Sequence, residues 1–354
     1  MKKALRAAER GRGRVEPNPM VGAVLAKTGK LLATGWHKTF GGPHAEIDAF
    51  KKISQGARGA TLYVTLEPCS HYGKTPPCAD AIIRAGISRV IAAMKDPFPQ
   101  VSGRGFCKLR QAGIQVESGL LAAEAERLNA PYLKMLRQRL PFVTLKWAMT
   151  LDGRIATVTG DSKWISGPAS RKLVHRMRSK SNCVMIGVNT ALFDDPELTV
   201  RHVRGRNPLR IVVDSRGRLP IRSKIAQSAQ NTPTIVATTQ RASQKWAQSL
   251  AKSGVEVIRL PARQGRVDLK ALMRELSRRG VCTVLVEGGA HLAGALMEEG
   301  LADRLAVFIG PKICLDGLAP LVGRAVEQMA KAIRAKNTTV RKIGNDFLIE
   351  ADIL

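Results

Sequence analysis

A histidine, a glutamate and two cysteines stand where they could build a catalytic metal site. His44 and Glu46 are separated by one residue, and Cys69 and Cys78 each follow a proline. One imidazole and two thiolates suit tetrahedral zinc, and three protein ligands leave the fourth position open for water. A carboxylate two residues from the histidine could point into the same site and move a proton without binding the metal. The pattern predicts zinc-assisted hydrolysis.

The spacing of the cysteines sets this pattern apart. Zinc nucleobase deaminases commonly carry histidine–x–glutamate followed by proline–cysteine–x–x–cysteine. Here eight residues, SHYGKTPP, separate Cys69 from Cys78, and this turn-rich segment could still bring both thiolates to one metal. The alternative, two buried cysteines beside a capping histidine–glutamate pair, explains the whole set less well. We expect the remaining cysteines to be small core residues: Cys107, Cys183, Cys282 and Cys314.

The elements that must position these residues alternate between strand-like and helix-like segments. In the first half, strands are predicted at 21–25, 30–35, 61–66, 89–94 and 114–116, and helices at 2–10, 44–52, 78–85 and 105–112. After a helix-like connector at 129–140, strands are predicted at 142–147, 184–188, 210–214, 234–238, 255–260, 283–287 and 304–309. Such alternation predicts mostly parallel sheets with helices on their faces. We place the two α/β domains at residues 1–141 and 142–354.

The composition excludes several classes of protein. Among 354 residues, 44% are hydrophobic and 24% charged, which is ordinary for a globular protein. No apolar, charge-free run reaches the roughly 18 residues of a membrane span, and the basic start lacks the apolar segment of a secretory signal. Six cysteines are too sparse for a disulfide scaffold. We therefore expect a cytoplasmic protein.

The charge balance is unusual. There are 57 Lys and Arg against 28 Asp and Glu, a formal net charge of +29, and the excess is spread over both halves. Such a field favours anionic partners, whether phosphorylated metabolites, nucleic acid or acidic lipid. A generally basic proteome is the alternative. The Arg-rich run 201–210 is interpreted as a basic loop.

A second group of residues predicts a nucleotide or phosphate site. Glu287-Gly288-Gly289-Ala290 follows the predicted strand 283–287 and precedes a predicted helix at 291–299. The free N–H groups of such a glycine turn and helix start suit a pyrophosphate. The turn is not a G-x-G-x-x-G fingerprint, so it does not support a Rossmann assignment. The motifs LDGR and GDSKW within 145–166 would, taken alone, be surface turns.

Taken together, the motifs resemble one family. Residues 17–22 (PNPMVG), 44–46 (HAE), 65–83 (TLEPCSHYGKTPPCADAII), 96–99 (DPFP), 101–105 (VSGRG) and 112–116 (AGIQV) are similar to those of bifunctional riboflavin-biosynthesis deaminase/reductases. The resemblance continues through the second half. It implies an α/β fold in which a cytidine-deaminase-like three-layer α/β/α domain is followed by a dihydrofolate-reductase-like α/β domain. The implied cofactors are zinc and NADPH.

The resemblance also implies roles for residues of the first domain. It assigns zinc ligation to His44, Cys69 and Cys78, proton transfer to Glu46, and pyrimidine or phosphate contacts to Asn18, His71, Lys74 and Asp96. Lysine and histidine are reasonable partners of a phosphorylated substrate. One position departs from the family. The usual DPNP is DPFP here, so Phe98 replaces an amide that could hydrogen-bond the substrate.

For the second domain the resemblance implies two sets of residues. Those associated with the cofactor are Ala148, Trp164, Thr190, Asp194, Ser215, Gly289, Ala290, His291, Leu292, Ala293, Gly294 and Ala295. Those associated with the substrate are Ser162, Arg178, Leu198, Arg201 and Glu287, and we expect Lys146, which stands beside them on the first strand of the domain, to contact the substrate as well. Two arginines suit a sugar phosphate because guanidinium binds phosphate in a bidentate way.

The implied function is a pair of consecutive reactions. The first is hydrolytic deamination of 2,5-diamino-6-ribosylamino-4-pyrimidinone 5'-phosphate, and the second is NADPH-dependent reduction of its ribosyl group to ribityl. Lys146 or a water molecule could supply the proton of the second step. We expect this phosphorylated aminopyrimidine as partner, no membrane, no specific nucleic acid, and a homo-oligomer formed through the reductase domain. The alternatives are a base deaminase acting on nucleic acid, with the second half as a binding module, and a chain that keeps only one activity.

Overall fold

A computed structural model describes residues 1–53, 56–72 and 76–353. The chain divides into two compact units, Met1–Arg139 and Leu140–Leu354. Across the described ranges, no helix has the length and apolar character needed to cross a bilayer.

The first unit is built on a mixed sheet. Within its described residues the strands are β1 Gly22–Lys27, β2 Lys30–Trp36, β3 Thr61–Val64, β4 Arg89–Ala92 and β5 Gln115–Ser118, in the order β2-β1-β3-β4-β5. Strand β1 is antiparallel to β2 and β3, whereas β3, β4 and β5 are parallel. The prediction of a mostly parallel sheet is therefore wrong for this unit. Thr28 and Gly29, both at positive φ, close a two-residue hairpin, which joins antiparallel strands only.

Helices cover both faces of this sheet. They are α1 Lys2–Ala8, α2 Ala45–Phe50, α3 Cys78–Arg84, α4 Arg104–Gln111, α5 Ala122–Leu128 and α6 Ala130–Gln138. Ala92 packs in one hydrophobic cluster with α2, α3 and α4, while the next residue, Ala93, packs in another with α5 and α6. Consecutive residues of an extended chain point to opposite faces. The unit is thus a three-layer α/β/α domain, as predicted.

The second unit is built on a larger and mostly parallel sheet. The strands are β6 Phe142–Met149, β7 Cys183–Gly187, β8 Leu209–Val213, β9 Thr234–Thr238, β10 Glu256–Arg259, β11 Ala262–Arg263, β12 Arg266–Val267, β13 Thr283–Glu287, β14 Arg304–Ile309, β15 Ala335–Ile343 and β16 Asp346–Ile353. The order is β10-β9-β8-β7-β13-β6-β14-β16-β15, with β11 and β12 forming a separate hairpin. Neighbouring strands are parallel from β10 at one edge of the sheet as far as β14. Strand β16 is antiparallel to β14, and the edge strand β15 is antiparallel to β16.

Both faces of the larger sheet are buried. The helices are α7 Pro168–Lys180, α8 Val188–Asp194, α9 Lys224–Gln227, α10 Gln244–Lys252, α11 Leu269–Arg278 and α12 Ala290–Glu298. Ile211 belongs to one hydrophobic cluster and its neighbour Val212 to another, so the strands are apolar on both sides. This is the usual arrangement of parallel sheets. The carboxyl ends of β6, β7, β8 and β13 consequently meet at one edge.

The cysteine prediction holds for two residues and is wrong for two. Cys183 and Cys282 are buried, as expected of core residues. Cys107 is exposed because α4 buries Gly105, Phe106 and Leu109 and turns the position between them to solvent. Cys314 is only partly buried.

Candidate active sites

The first unit brings one imidazole and two thiols together. His44 immediately precedes α2, Cys78 is the first residue of α3, and Cys69 lies in the loop after β3. His44 Nδ1 lies 3.2 Å from Cys78 Sγ and 3.5 Å from Cys69 Sγ. All three ligand atoms lie within 4.8 Å of one another. One nitrogen and two sulfurs at this spacing fit a tetrahedral zinc ion with one open position.

The cysteine environment favours a thiolate. The backbone N–H of Cys78 donates to Cys69 Sγ at 3.3 Å. The pKa of the Cys69 thiol is lowered to about 4, chiefly by hydrogen bonding with the Cys78 side chain and also by a hydrogen bond with His44, while burial opposes this effect. Thiolate is the form that ligates metal. The eight-residue loop therefore does not prevent the two cysteines from forming one site.

Glu46 lies in the first turn of α2 and is 3% exposed. Burial raises the pKa of its carboxyl group, while the positive charge of His44 opposes this effect. Raising the pKa of a carboxylate makes it a stronger base towards a neighbouring water. Glu46 stands outside the three-residue ligand group but on the same helix start as His44.

A second histidine, His37, orients one of the predicted pocket residues. Its Nδ1 lies 3.0 Å from the carbonyl oxygen of Pro43, so this nitrogen must carry the proton. Its Nε2 then accepts from Asn18 Nδ2 at 3.3 Å, which leaves the Asn18 oxygen available. The two imidazoles of His37 and His44 meet edge to face at 5.5 Å. His37 was not predicted from the sequence, although it directly follows β2 in the chain.

Of the remaining predicted pocket residues, the structure describes Asp96 and His71. Asp96 Oδ1 accepts hydrogen bonds from Phe98 N and from the Tyr132 hydroxyl, each at 2.9 Å, and burial raises the pKa of this carboxyl. His71 Nδ1 is buried and has no hydrogen-bond partner within the described residues, and its ring lies 6.1 Å from that of Phe98. Lys74 lies outside the described residues.

Glu67 is a further residue that the sequence did not indicate. One carboxylate oxygen accepts from the backbone N–H groups of Asp96 and Gly103 at 3.2 and 2.9 Å. The other accepts from Gly105 and Phe106 at 3.0 and 3.3 Å. This buried carboxylate therefore fixes the loop that carries Asp96. Its position two residues before Cys69 in the motif was the available signal.

The second unit contains a cleft of about 1780 Å³, larger than the roughly 300–1,000 Å³ of most small-ligand pockets. It is lined by these residues predicted for cofactor and substrate: Lys146, Ala148, Ser162, Trp164, Arg178, Thr190, Asp194, Leu198, Arg201, Ser215, Glu287, Gly289, Ala290, His291, Leu292 and Ala295. Two predicted residues lie away from the cleft wall. Ala293 is buried in the core, and a Cβ on Gly294 would lie 2.0 Å from the carbonyl oxygen of Val322. Both serve the packing of α12.

Three charged residues meet at the carboxyl ends of β6 and β13. Arg178 Nε and Nη2 donate to the two oxygens of Glu287 at 2.5 and 2.9 Å, and Nη1 donates to the Thr199 carbonyl at 3.1 Å. Lys146 Nζ lies 4.0 Å from Glu287. Burial lowers the pKa of Lys146, whereas the charge of Glu287 raises it. Arg178 is thus held by Glu287, whereas Arg201 forms a half-exposed pair with Glu197.

His175 lines the cleft and was not predicted from the sequence. Its Nδ1 accepts the backbone N–H of Arg201 at 3.0 Å, so Nε2 carries the proton of the neutral ring. Burial, followed by the positive charge of Arg178, lowers the pKa of His175 to about 4. The ring of His202 lies 4.5 Å away. No sequence motif around position 175 indicated this role, because its partners come from another segment.

The double glycine forms one wall of the cleft. Gly288 and Gly289 have φ values of 65° and 84°, a conformation that side chains with a Cβ rarely adopt. Gly289 immediately precedes α12, and both glycines line the cleft together with Ala290 and His291. The first turn of a helix presents free N–H groups and suits a phosphate.

Comparisons with known proteins bear on both units. Residues 1–94 match the model of the cytidine and deoxycytidylate deaminase zinc-binding region, and residues 141–349 match the RibD C-terminal domain. Riboflavin biosynthesis protein RibD of Aquifex aeolicus is 42% identical over 350 residues, which cover 99% of this chain and 96% of that protein. The chain belongs to the RibD family.

Solved RibD structures agree with this assignment. Acinetobacter baumannii RibD (form 1) superposes with a TM-score of 0.87 at 36% identity, covering 100% of this chain and 97% of that one. A Thermotoga maritima diaminohydroxyphosphoribosylaminopyrimidine deaminase/5-amino-6-(5-phosphoribosylamino)uracil reductase gives 0.86 at 36% identity with the same coverage. The RibD family combines a zinc-binding deaminase domain with a reductase domain of the NADPH-dependent type. The match of the second unit favours a reductase over a nucleic-acid-binding module.

Proposed function

We propose that this RibD protein carries out both reactions, deaminating 2,5-diamino-6-ribosylamino-4-pyrimidinone 5'-phosphate and then reducing its ribosyl group to ribityl. The observation that supports this most strongly is the presence of both sites in one chain. The His44–Cys69–Cys78 cluster stands beside a buried Glu46, and the Lys146–Glu287 pair stands in a cleft large enough for a dinucleotide and a sugar phosphate.

In the first reaction, His44, Cys69 and Cys78 would hold zinc, which when bound acts as a Lewis acid that activates water. The overall change replaces an exocyclic amine by a carbonyl oxygen, consuming water and releasing ammonia. Glu46 takes the proton from the attacking water and delivers it to the departing amine. Burial raises the pKa of this carboxyl, which favours its taking up the proton of the water.

The substrate contacts of this site follow from the hydrogen bonds of Asn18. Because His37 Nε2 accepts from the Asn18 amide, the Asn18 oxygen is oriented to accept from a pyrimidine N–H. The unpartnered Nδ1 of His71 is available for the ring or its phosphate. We propose that Asp96 and Lys74 complete this pocket. Phe98 offers an aromatic face in place of the hydrogen bonds of an amide.

In the second reaction, the residues lining the cleft would hold NADPH, which when bound would serve as the hydride donor to the sugar carbon. The remaining task of the protein is to place the two reactants and to supply one proton to the sugar oxygen. Lys146 is our candidate for this proton, since its ammonium is buried and Glu287 stabilises the charge. Glu287 is itself oriented by Arg178. We propose that the free N–H groups in the first turn of α12 bind the pyrophosphate.

Three broader proposals accompany this function. We place the domain boundary at residues 141 and 142, and the protein in the cytoplasm. We also propose a homo-oligomer through the second unit, supported by large exposed side chains such as Leu315, Met329 and Val340. Light scattering at several concentrations tests the oligomer, since a single monomer mass throughout would contradict it.

The decisive experiment is mass spectrometry of products formed by the zinc-loaded protein with and without NADPH. We expect deamination in both cases and the ribityl product only with NADPH. Glu46→Gln should slow deamination by about a hundredfold or more, and Lys146→Met should abolish reduction of deaminated substrate. Glu126→Gln, an exposed change in α5, is the matched control. Untouched substrate under both conditions would contradict the proposal.

A nucleic-acid substrate is tested in the same preparation. The net charge of +29 predicts weak retention of RNA at low salt. Contacts to phosphate alone weaken steeply as salt rises. If RNA is no longer retained at physiological salt and none of its bases is deaminated, the nucleic-acid alternative is excluded and the RibD function stands as proposed.

A further inference from the structure

One corner of the second unit's cleft carries arginines that the proposed reactions do not use. Ser215, directly after β8, accepts the backbone N–H of Val267 through Oγ at 3.0 Å. Its carbonyl oxygen accepts from the Thr239 hydroxyl at 2.7 Å. These two bonds tie the ends of β8, β9 and β12 together, and each end carries an arginine. Arg216, Arg241 and Arg266 form what we call the arginine corner.

The three side chains are exposed and all line the cleft. In the described part of the chain, none of their guanidinium groups forms an ion pair with a carboxylate. Arg241 lies against the hairpin that carries Arg266, since a Cβ built on Gly265 would stand 3.1 Å from Arg241 Nη1. Three positive charges along one part of the cleft wall favour the binding of an anion there.

The carboxylates of these loops are already engaged. Asp214 is fully buried, and its oxygens accept the backbone N–H groups of residues 216–219 at 2.5 to 3.4 Å. Asp268 caps α11 through the N–H of Ala271 at 2.9 Å. A free carboxylate at such a strand end would receive a ribose hydroxyl, as in sites that prefer NAD. Here the turn after β8 offers Arg216 instead.

We propose that Arg216, Arg241 and Arg266 bind the 2'-phosphate of the adenosine half of NADPH and so set the preference for NADPH over NADH. This inference rests on the proposed reductase function, which predicts a dinucleotide in this cleft. It adds the identity of the residues that bind the 2'-phosphate. A phosphate monoester carries nearly two negative charges at pH 7. Guanidinium matches its oxygens in a bidentate way, whereas the hydroxyl of NADH offers no charge to neutralise. The Asp214 bonds hold the turn that presents Arg216.

The test is isothermal titration of the full chain with 2',5'-ADP and with 5'-AMP at constant ionic strength. We expect the wild type to bind 2',5'-ADP at least about tenfold more tightly, a difference of about 1.4 kcal/mol. Arg216→Gln, Arg241→Gln and Arg266→Gln should each reduce that ratio, and the Arg216→Gln/Arg241→Gln double variant should bring it close to one. Affinity for 5'-AMP should stay unchanged. Lys252→Gln, which removes an exposed charge from α10, is the matched control and should keep the ratio.

The possible results separate this inference from the function on which it rests. Equal wild-type affinities for the two nucleotides, or a ratio that survives in the double variant, would overturn the assignment while leaving the reductase intact. Binding of neither nucleotide, nor of NADPH, by folded protein would overturn the reductase proposal together with it. A ratio that falls equally in Lys252→Gln would show a general charge effect and would also overturn the assignment.

Discussion

Arg178 and Glu287 form a buried, bidentate ion pair between α7 and the end of β13, with nitrogen–oxygen distances of 2.5 and 2.9 Å. Lys146 Nζ stands 4.0 Å from the same carboxylate. One anion is therefore shared by two buried cations. The negative charge of Glu287 stabilises both cations in a part of the cleft that is poorly accessible to water.

Replacing Glu287 by Gln should destabilise the protein by about 3–5 kcal/mol, because it leaves two buried cations without a countercharge. It should also lower the pKa of Lys146 further, since Glu287 is what raises it. The measurement is urea unfolding followed by tryptophan fluorescence. Glu275→Gln is the control, because it removes a carboxylate that pairs with exposed arginines in α11 and should cost about 1 kcal/mol or less. Equal losses in both variants would contradict the prediction.

The features that sequence reasoning found are encoded locally. The predicted zinc ligands lie in short motifs, with His44 and Cys78 at helix starts and Cys69 in the loop after β3, and two glycines follow β13 directly, so residue types and spacing indicated both sites. The strand pair β15 and β16 was missed because most of β15 is exposed and carries no apolar alternation. Hydrophobic periodicity does not indicate such an edge strand.

Residues whose partners are distant in sequence were not predictable. Glu67 binds amides 29 to 39 positions away, and His175 accepts from Arg201, 26 positions away. Arg210 is the clearest case, since it ends a run that was interpreted as a basic loop and is fully buried. Its guanidinium donates to hydroxyl and carbonyl oxygens such as Thr234 Oγ1 and Thr232 O, at 3.0 and 2.9 Å. Only the fold brings those acceptors together.

The pH dependence of stability should carry a contribution from His175. Its pKa falls to about 4 in the folded protein, chiefly through burial, and is about 6.5 in an unfolded chain. Between these values the unfolded chain binds more protons, so stability falls as the pH drops from 6.5 towards 4 and is fully retained above 6.5. His175→Asn keeps an acceptor for Arg201 N–H without titrating. Urea midpoints measured from pH 7 to 4.5 should therefore fall less steeply in this variant.

His202→Asn provides the control for that comparison. His202 is exposed beside His175 and its charge is a smaller cause of the lowered His175 pKa than burial, so its replacement should change the pH profile much less than His175→Asn does. The prediction fails if the His175→Asn profile overlays that of the wild type across the whole range.

Glu67→Gln should loosen the loop that holds Asp96. The carboxylate accepts four backbone N–H groups, and the amide nitrogen of Gln would face two of those donors instead of accepting from them. Each lost hydrogen bond to a charged group is worth about 1.5–3 kcal/mol, so we expect a loss of several kcal/mol. Hydrogen exchange should show faster exchange of the Gly103, Gly105 and Phe106 amides. Unchanged exchange at these three positions would contradict the role given to Glu67.

Zinc content should depend on Cys69 and Cys78 but not on Cys107. Both site cysteines lie within reach of His44 Nδ1, whereas Cys107 is an exposed residue of α4. Elemental analysis of dialysed protein should find about one zinc per chain in the wild type and in Cys107→Ser, and far less in Cys78→Ser, because a hydroxyl is a much poorer zinc ligand than a thiolate. Binding of 2',5'-ADP should persist in all three proteins, since every residue that lines the cleft of the second unit lies between 146 and 324. Full zinc occupancy in Cys78→Ser would exclude this cluster as the metal site.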